Sequence, residues 1–300
     1  MPASRLVASL AFAALAFFAA AGVRARAEPG APGVAAAPPA AVSARAAPED
    51  LGPGSPAALL DRAFRNLYGD DFVQVMTLST WRRGGRSITR RAQLTRKQSA
   101  RPGKAMVRFL EPQEIRRTGV LIVEQDDRYD DFFVYLPALA KVRRLVSGQR
   151  ADAFFGTDLC YEDVEPKHAS DWDVRQVGAG EEAGTPCVVL DIRPRPPYES
   201  TYERMESCIE PERAIILRTD FYRRGQAVKQ LRVDVGSVRE LEGRHIPFSF
   251  RMETPAQRSS THVGTESYEI RAGLPDQIFT TTNLEAGDAD GDRRTAAQTP

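Results

Sequence analysis

The chain contains 300 residues, with 41 Lys and Arg against 40 Asp and Glu, and its formal net charge is +1 at neutral pH. The first 27 residues hold three of those arginines and no acidic residue, so a chain cleaved after Ala27 would carry a net charge of −2. A chain without a basic excess lacks the electrostatic footprint of a nucleic-acid-binding protein. The composition therefore argues against nucleic acid as a partner.

The N-terminus has the three parts of a secretory signal peptide, in the expected order. Arg5 supplies the positive charge, the stretch 6–21 is apolar apart from one serine, and residues 25–27 (ARA) fit a cleavage site. An uncleaved membrane anchor is the alternative, but the apolar stretch is shorter than the ~20 residues that a spanning helix needs. The first cysteine is Cys160, so no cysteine follows this stretch as an N-terminal lipid acceptor. We expect residues 1–27 to be a cleaved signal peptide and the protein to be periplasmic.

Composition divides the rest of the chain into three parts. Residues 28–56 are rich in Ala, Pro and Gly and hold almost no large apolar side chain, which predicts a disordered linker. Residues 286–300 have a similar composition and predict a disordered tail. The remaining stretch, 57–285, has the length of one large β-rich domain.

This domain begins with a predicted amphipathic helix over residues 55–68. Ser55 can cap the helix, Pro56 suits its first turn, and Gly69 can end it. Between them, apolar side chains at positions 59, 60, 63, 64 and 67 follow a helical spacing.

From Phe72 onwards the apolar period changes to two, which is typical of β-strands. About a dozen such stretches follow, separated by turn residues such as Gly84-Gly85 and Asp126-Asp127, and their regular spacing predicts antiparallel hairpins. Residues 147–163 break the pattern and predict a loop or short helix. A sheet of this size must curl or close, and the N-terminal helix could cover an open side.

Several short motifs in the middle of the chain resemble those of outer-membrane lipoprotein-sorting proteins, the LolA-like carriers. They are residues 108–112 (RFLEP), 119–121 (GVL), 135–139 (YLPAL), 141–144 (KVRR), 155–159 (FGTDL) and 161–163 (YED). The resemblance extends from Leu59 to Leu284 and includes Leu274-Pro275-Asp276 near its end. Phe155 stands where the family often has Met, which keeps that position apolar.

The resemblance implies a mainly β (α+β) fold: an open, incomplete antiparallel β-barrel of about 11–12 strands, covered by the N-terminal helix and a short lid. It also implies a periplasmic carrier that binds a lipid or the acyl chains of a lipoprotein and shuttles it towards the outer membrane, without catalysis or cofactor. An inner-membrane lipid-exporting transporter is the expected donor, and we expect a monomer. The alternative is a non-enzymatic lipid-sensing or interaction module that works with such a transporter.

A carrier needs an apolar cavity, because an acyl chain of 16 carbons costs about 12 kcal/mol to expose to water. The alternative for any single apolar residue is a place in a filled core, because alternation shows only that a side chain faces inward. The expected ligand-binding residues are apolar residues of the helix, the lid and the inner strands: Phe64, Phe109, Leu121, Phe133, Tyr135, Leu136, Phe154, Phe155, Leu159, Phe248, Phe250 and Met252.

Cysteines and charged residues suggest how the domain is held together. Cys187 and Cys208 flank a predicted hairpin loop and could form a disulfide in an oxidising compartment, although a register error of one residue would separate them. Arg143-Arg144 could pair with Asp158, Glu162 and Asp163 and fix the lid to the sheet. The same arginines could instead guide an anionic headgroup.

Catalytic and metal-binding signals are weak. His168, His245 and His262 stand apart from one another without metal-ligand spacing, and no G-x-S-x-G motif occurs. A hydrolase would need acidic residues or histidines gathered at a cavity mouth, which the sequence neither shows nor excludes.

Overall fold

The computed structural model describes residues 52, 54–99, 102–125 and 129–287. The predicted signal peptide, most of the predicted linker and tail, and the Asp126-Asp127 turn lie outside these residues. The domain boundaries deduced from composition therefore stay predictions.

The first element is helix α1 (Pro56–Tyr68). The Ser55 hydroxyl accepts a hydrogen bond from the Ala58 backbone N–H at 3.1 Å, which satisfies one of the free donors of the first turn. Leu60, Ala63 and Phe64 are buried, so one face of α1 packs on the protein core.

The strands fall into two runs along the chain. Before the lid come β1 (Phe72–Arg82), β2 (Ile88–Lys97), β3 (Lys104–Glu111), β4 (Gly119–Val123), β5 (Asp131–Leu136) and β6 (Lys141–Arg144). After the lid come β7 (Trp172–Glu182), β8 (Thr185–Pro194), β9 (Arg204–Glu210), β10 (Ile215–Arg223), β11 (Gln226–Val233), β12 (Val238–Leu241), β13 (Arg244–Pro247), β14 (Ser249–Thr254) and β15 (Ser259–Ile270). A short helix, α2 (Thr281–Ala286), follows them.

Thirteen of the described strands form one antiparallel sheet in the order β6-β5-β4-β3-β2-β1-β15-β14-β11-β10-β9-β8-β7. Its edges, β6 and β7, do not pair with each other, which confirms the predicted open, incomplete barrel. β12 and β13 form a separate two-stranded sheet. This pair adds to the expected number of strands. The chain is interrupted at Phe248, between β13 and β14, after a proline that cannot donate a ladder hydrogen bond.

Residues 145–171 connect the two edge strands and form the lid segment. The segment contains four single 3₁₀ turns: Ser147–Gln149, Phe154–Gly156, Glu162–Val164 and Ala169–Asp171. Phe155 and Gly156 both have left-handed backbones, with φ of 48° and 74°, and they reverse the chain direction. The lid segment and α1 pack on the inner face of the sheet, where they share one large core.

The outer face of the first strands carries a second buried cluster. Residues 274–286 cover this face, and Leu274, Ile278, Phe279 and Leu284 are all nearly inaccessible. The Arg108 guanidinium, also buried, donates to the carbonyl oxygens of Asn283 at 2.6 Å and Leu284 at 3.3 Å. Strands β3 to β5 are therefore covered on both faces.

Candidate functional site

An apolar cavity of about 250 Å³ lies between α1, the inner face of the sheet and the lid segment. α1 contributes Leu60 and Phe64, and the lid segment contributes Phe154 and Leu159. The sheet supplies the rest of the wall from strands on both sides of its centre, including Met76, Leu78, Leu94, Met205, Leu231 and Phe250. Most of this surface is hydrocarbon, which suits an apolar ligand better than a polar one.

Of the twelve residues expected to bind ligand, five line the cavity: Phe64, Phe154, Leu159, Phe250 and Met252. Phe109 and Phe155 lie just beyond the wall, with ring centroids 4.7 Å apart. Leu136 is half-buried against the same core, and Phe248 is buried beside the ring of Tyr268 at 6.2 Å.

Three expected wall residues lie on the opposite face of the sheet. Leu121, Phe133 and Tyr135 pack in the outer cluster beneath residues 274–286, so their assignment to the cavity wall is corrected. The inward positions of these strands belong to their neighbours, among them Ile122 and Phe132. Because β4 and β5 are apolar on both faces, alternation alone did not reveal which face is the inner one.

The alternating pattern of β1 did contain a usable signal. Phe72, Gln74, Met76 and Leu78, which are alternate residues of this strand, all line the cavity. These residues were not among the expected ligand-binding set, because that set favoured large side chains in the segment that carries the family motifs.

Buried ion pairs and hydrogen bonds hold the lid segment in place. Arg150 makes two contacts with Glu165, at 2.7 and 2.5 Å, and both side chains are almost fully buried. Glu162 accepts hydrogen bonds from the Ser200 hydroxyl and from the Thr201 backbone N–H, the latter at 2.6 Å. The lid segment is thereby bound to the loop between β8 and β9.

Asp158 and Asp163 bind the lid segment to the inner face of the sheet. Asp158 accepts hydrogen bonds from the hydroxyls of Ser259 and Thr261, the latter at 2.7 Å. Asp163 accepts from Lys229 Nζ at 2.9 Å and from the Tyr202 hydroxyl at 2.8 Å.

The lid carboxylates therefore fix the lid, but not through the residues expected. Arg144 pairs with Asp131 on the neighbouring strand, so the predicted pairing of Arg143-Arg144 with the lid carboxylates is wrong. The reason is local: β6 pairs with β5, which places Arg144 opposite Phe133 and within reach of the β5 carboxylate.

Burial and charge act in opposite directions on these groups. Burial alone would raise the pKa of Asp163, but the charge and hydrogen bond of Lys229 outweigh it and lower the pKa below its usual range. Burial raises the pKa of the nearby Cys160 thiol to about 11, so this cysteine is a protonated, unreactive thiol at neutral pH.

A family model described only as that of an uncharacterized protein matches residues 102–286, which is more than half of the chain. The chain belongs to this family. No curated protein sequence matches the chain.

Solved structures confirm the LolA-like fold. A DUF1329 family protein from Desulfovibrio piger is 26% identical, with a TM-score of 0.69 over 76% of this chain and 99% of that one. A putative outer membrane lipoprotein-sorting protein domain from Vibrio parahaemolyticus is 21% identical, with a TM-score of 0.70 over 76% and 97%. A LolA superfamily protein from Nitrosomonas europaea is 19% identical, with a TM-score of 0.61 over 76% and 98%.

Among the described residues, one lysine lines the apolar cavity. Lys167 Nζ donates a hydrogen bond to the Glu162 carbonyl oxygen at 2.8 Å, and no described carboxylate oxygen lies within 4.0 Å of it. Burial would lower the pKa of Lys167, but the nearby Tyr198 and the carboxylates of Glu162 and Glu165 raise it, so the ammonium group is charged. The mainly apolar wall of the cavity thus includes one lysine, Lys167, and one carboxylate residue, Asp163.

The structure joins Cys187 and Cys208 in a disulfide between β8 and β9. In the strand register the Cα partner of Cys208 is Val189, so the two cysteines are diagonal neighbours on one face. They are buried with Ile215 and Leu217 in a small cluster of their own.

Within the part of the chain that the structure describes, no group of three or more His, Cys, Asp or Glu side chains could hold a metal ion. His168 lies 3.2 Å from Glu124, and His262 lies 2.9 Å from the Ser249 hydroxyl. The described helices include none that is long and apolar enough to cross a membrane.

Proposed function

We propose that this protein is a periplasmic carrier that binds a lipid, or the acyl chains of a lipoprotein, in the cavity beneath α1 and the lid segment. It shuttles this cargo towards the outer membrane and catalyses no reaction. The observation that carries the proposal is the apolar cavity of about 250 Å³, enclosed by a helix and a lid on an open sheet. The LolA-like fold supports the same function.

The size of the cavity bears on how it would be used. It is larger than the ~150 Å³ cavity that holds a benzene ring and smaller than the ~300–1,000 Å³ of most ligand pockets. Each buried CH₂ group of an acyl chain gains about 0.8 kcal/mol. A complete chain therefore requires α1 or the lid segment to move outward, and the free energy gained by burying its CH₂ groups would drive this movement.

The contacts of the lid segment are suited to reversible opening. Its carboxylates bind hydroxyl, ammonium and backbone N–H groups, all of which water can replace when the lid lifts. Its aromatic rings, in contrast, pack on the sheet. When cargo enters, contacts with the acyl chain would replace these contacts with the sheet. A lid with both kinds of contact can close over cargo and still release it.

Two features of this chain support a periplasmic location. A signal peptide is predicted at residues 1–27, and the Cys187–Cys208 disulfide is of the kind that persists in an oxidising compartment. We infer a monomeric carrier that receives its cargo from an inner-membrane lipid-exporting transporter.

Native mass spectrometry, combined with lipid extraction, tests this function on protein purified from the periplasm without detergent. We expect a bound mass that extracts as a lipid or acylated peptide. A protein that carries no such mass and takes up no fluorescent acyl probe would overturn the proposal.

A pair of variants sharpens this test. Met76→Trp places a large ring in the cavity, whereas Thr77→Trp places the same ring on the other face of β1. Met76 and Thr77 are both half-buried, so the two variants share the cost of adding a large side chain. We expect the first to reduce probe uptake about tenfold or more and the second to leave it close to wild type, with folding of both checked by thermal unfolding.

A further inference from the structure

The hairpin between β1 and β2 has an unusual charge. Residues 80–91 contain five arginines and no acidic residue, although the whole chain is nearly neutral. The turn before β15 adds Arg258, whose carbonyl oxygen accepts a hydrogen bond from the Arg83 backbone N–H at 3.2 Å. We call this surface the arginine end and define it as Arg82, Arg83, Arg86, Arg90 and Arg258.

None of these five arginines has a described carboxylate oxygen within 4.0 Å, whereas the adjacent Arg91 pairs with Glu266 at 2.8 Å. Arg90 Nη1 is buried and has no hydrogen-bond partner among the described residues. Burial and the like charge of Arg82 lower the pKa of Arg90. Asp158 of the lid segment is buried and already bound by Ser259 and Thr261. These cations therefore repel one another, and no described carboxylate pairs with any of them to offset the repulsion.

Two large apolar side chains are exposed at the same place. Trp81 is 43% exposed and Ile88 is 52% exposed. Ile88 is the Cα partner of Thr80, so the two side chains share one face of the hairpin, and Trp81, as the next residue after Thr80, lies on the other face. The tip of the hairpin is thus apolar on both faces and ringed by arginines.

This combination matches the chemistry of a lipid bilayer surface. Trp is enriched at the interface between membrane and water, and arginines bind lipid phosphates and are attracted to anionic leaflets. An acidic protein would match the charges, but it gives no reason for apolar side chains on both faces of a protruding tip. A bilayer surrounds such a tip on every side.

We propose that the arginine end, together with Trp81 and Ile88, docks this protein on the surface of a bilayer that contains anionic lipid. Arg82 Nη2 donates a hydrogen bond to the Gly156 carbonyl oxygen at 3.2 Å, so docking brings the lid segment to the membrane surface. The proposal deepens the carrier function and rests on it for its biological meaning, but the docking itself is measurable without cargo.

Intrinsic fluorescence reports docking at this tip directly. The chain has two tryptophans, and Trp172 is only 1% exposed, so a change of polarity at the surface is reported by Trp81. We expect phosphatidylcholine vesicles that contain phosphatidylglycerol to shift the emission to the blue and to sediment the protein. Phosphatidylcholine alone should do neither, and binding should weaken steeply as salt is added.

Charge neutralisation provides the matched comparison. Arg83→Gln with Arg86→Gln should weaken binding to the anionic vesicles by about thirtyfold, because each arginine near an anionic surface contributes a factor of about five. The control is Arg175→Gln with Arg224→Gln, which removes two exposed arginines elsewhere and should leave binding unchanged. Trp81→Phe should abolish the emission shift while the protein still sediments.

The outcomes separate docking from carriage. Equal binding to neutral and anionic vesicles, or equal loss in both arginine pairs, overturns the docking proposal. Uptake of an acyl probe without binding to anionic vesicles also overturns docking and leaves the carrier function standing. Binding to anionic vesicles without any uptake of an acyl probe supports the docking proposal and overturns the carrier function.

Discussion

Asp163 and Lys229 form an ion pair beneath the lid segment, and both side chains are nearly removed from water. Such a pair contributes little compared with apolar residues of equal size, because both charges lose their hydration. Removal of one partner is costly, because the remaining charge is then buried alone. The pair therefore specifies where the lid lies more than it stabilises the fold.

Asp163→Asn should lower the free energy of unfolding by about 3 kcal/mol, since it leaves the Lys229 ammonium group without its carboxylate. Adding Lys229→Met should restore most of this loss. Urea unfolding of the single and double variants measures both effects. The control is Glu269→Gln at the exposed pair with Arg271, for which we expect a change of less than about 0.5 kcal/mol. A double variant no more stable than Asp163→Asn would contradict this account.

The lid segment combines a polar attachment with an aromatic one. Asp158 connects it to β15, while the rings of Phe154 and Tyr161, 5.4 Å apart, belong to an aromatic cluster that also contains Phe109 on β3. Loss of the polar attachment should loosen the segment without dissolving the core below it, because the two sets of contacts involve different side chains.

Asp158→Ala should therefore accelerate amide hydrogen exchange in residues 147–171 and leave the central strands β1 and β15 close to wild type. It should also speed the exchange of a bound acyl probe. Asp152→Ala is the matched control, because Asp152 is an exposed carboxylate of the same segment. Mass-resolved hydrogen exchange checks the first expectation, and equal acceleration throughout the sheet would instead indicate general destabilisation.

The elements differ in how far the sequence predicts them. The capped helix followed its apolar period because one of its faces is buried. The strand β1 followed a period of two, although Val73 and Val75, on the face opposite the cavity, are also buried. The apolar pattern of β4 and β5 did not reveal which of their faces lines the interior. Both faces are apolar, because a C-terminal segment that is remote in sequence covers the outer one. The contact of Asp158 with β15 joins residues more than 100 positions apart, and no local pattern predicts such a partner.

At the scale of the whole molecule, buried carboxylates make stability depend on pH. Burial would raise the pKa of Glu124, but its hydrogen bond to His168 and the charge of Arg96 outweigh this and lower it, as Lys229 does for Asp163. The unfolded chain takes up these protons at a higher pH than the folded protein does, so protonation favours unfolding.

We therefore expect the free energy of unfolding to stay nearly constant between about pH 5 and 7. It should fall as the pH drops below about 4, the ordinary pKa of a free carboxylate. Urea unfolding between pH 7 and 2.5 measures this dependence. The fall should be shallower in Asp163→Asn, which has lost one of the groups with a lowered pKa. A wild-type stability that is constant from pH 5 to 3 would contradict the expectation.

The connection between the two sheet edges has a mechanical consequence. The chain leaves β6, crosses the inner face as the lid segment and enters β7. The lid segment therefore links the two edge strands of the sheet covalently. Hydrogen bonds to the carboxylates of Asp158, Glu162 and Asp163 hold this segment in place. A ligand that pushes β6 and β7 apart would therefore also strain the contacts that hold residues 145–171 over the cavity. The separation of the two edge strands and the closure of the cavity are thus mechanically coupled.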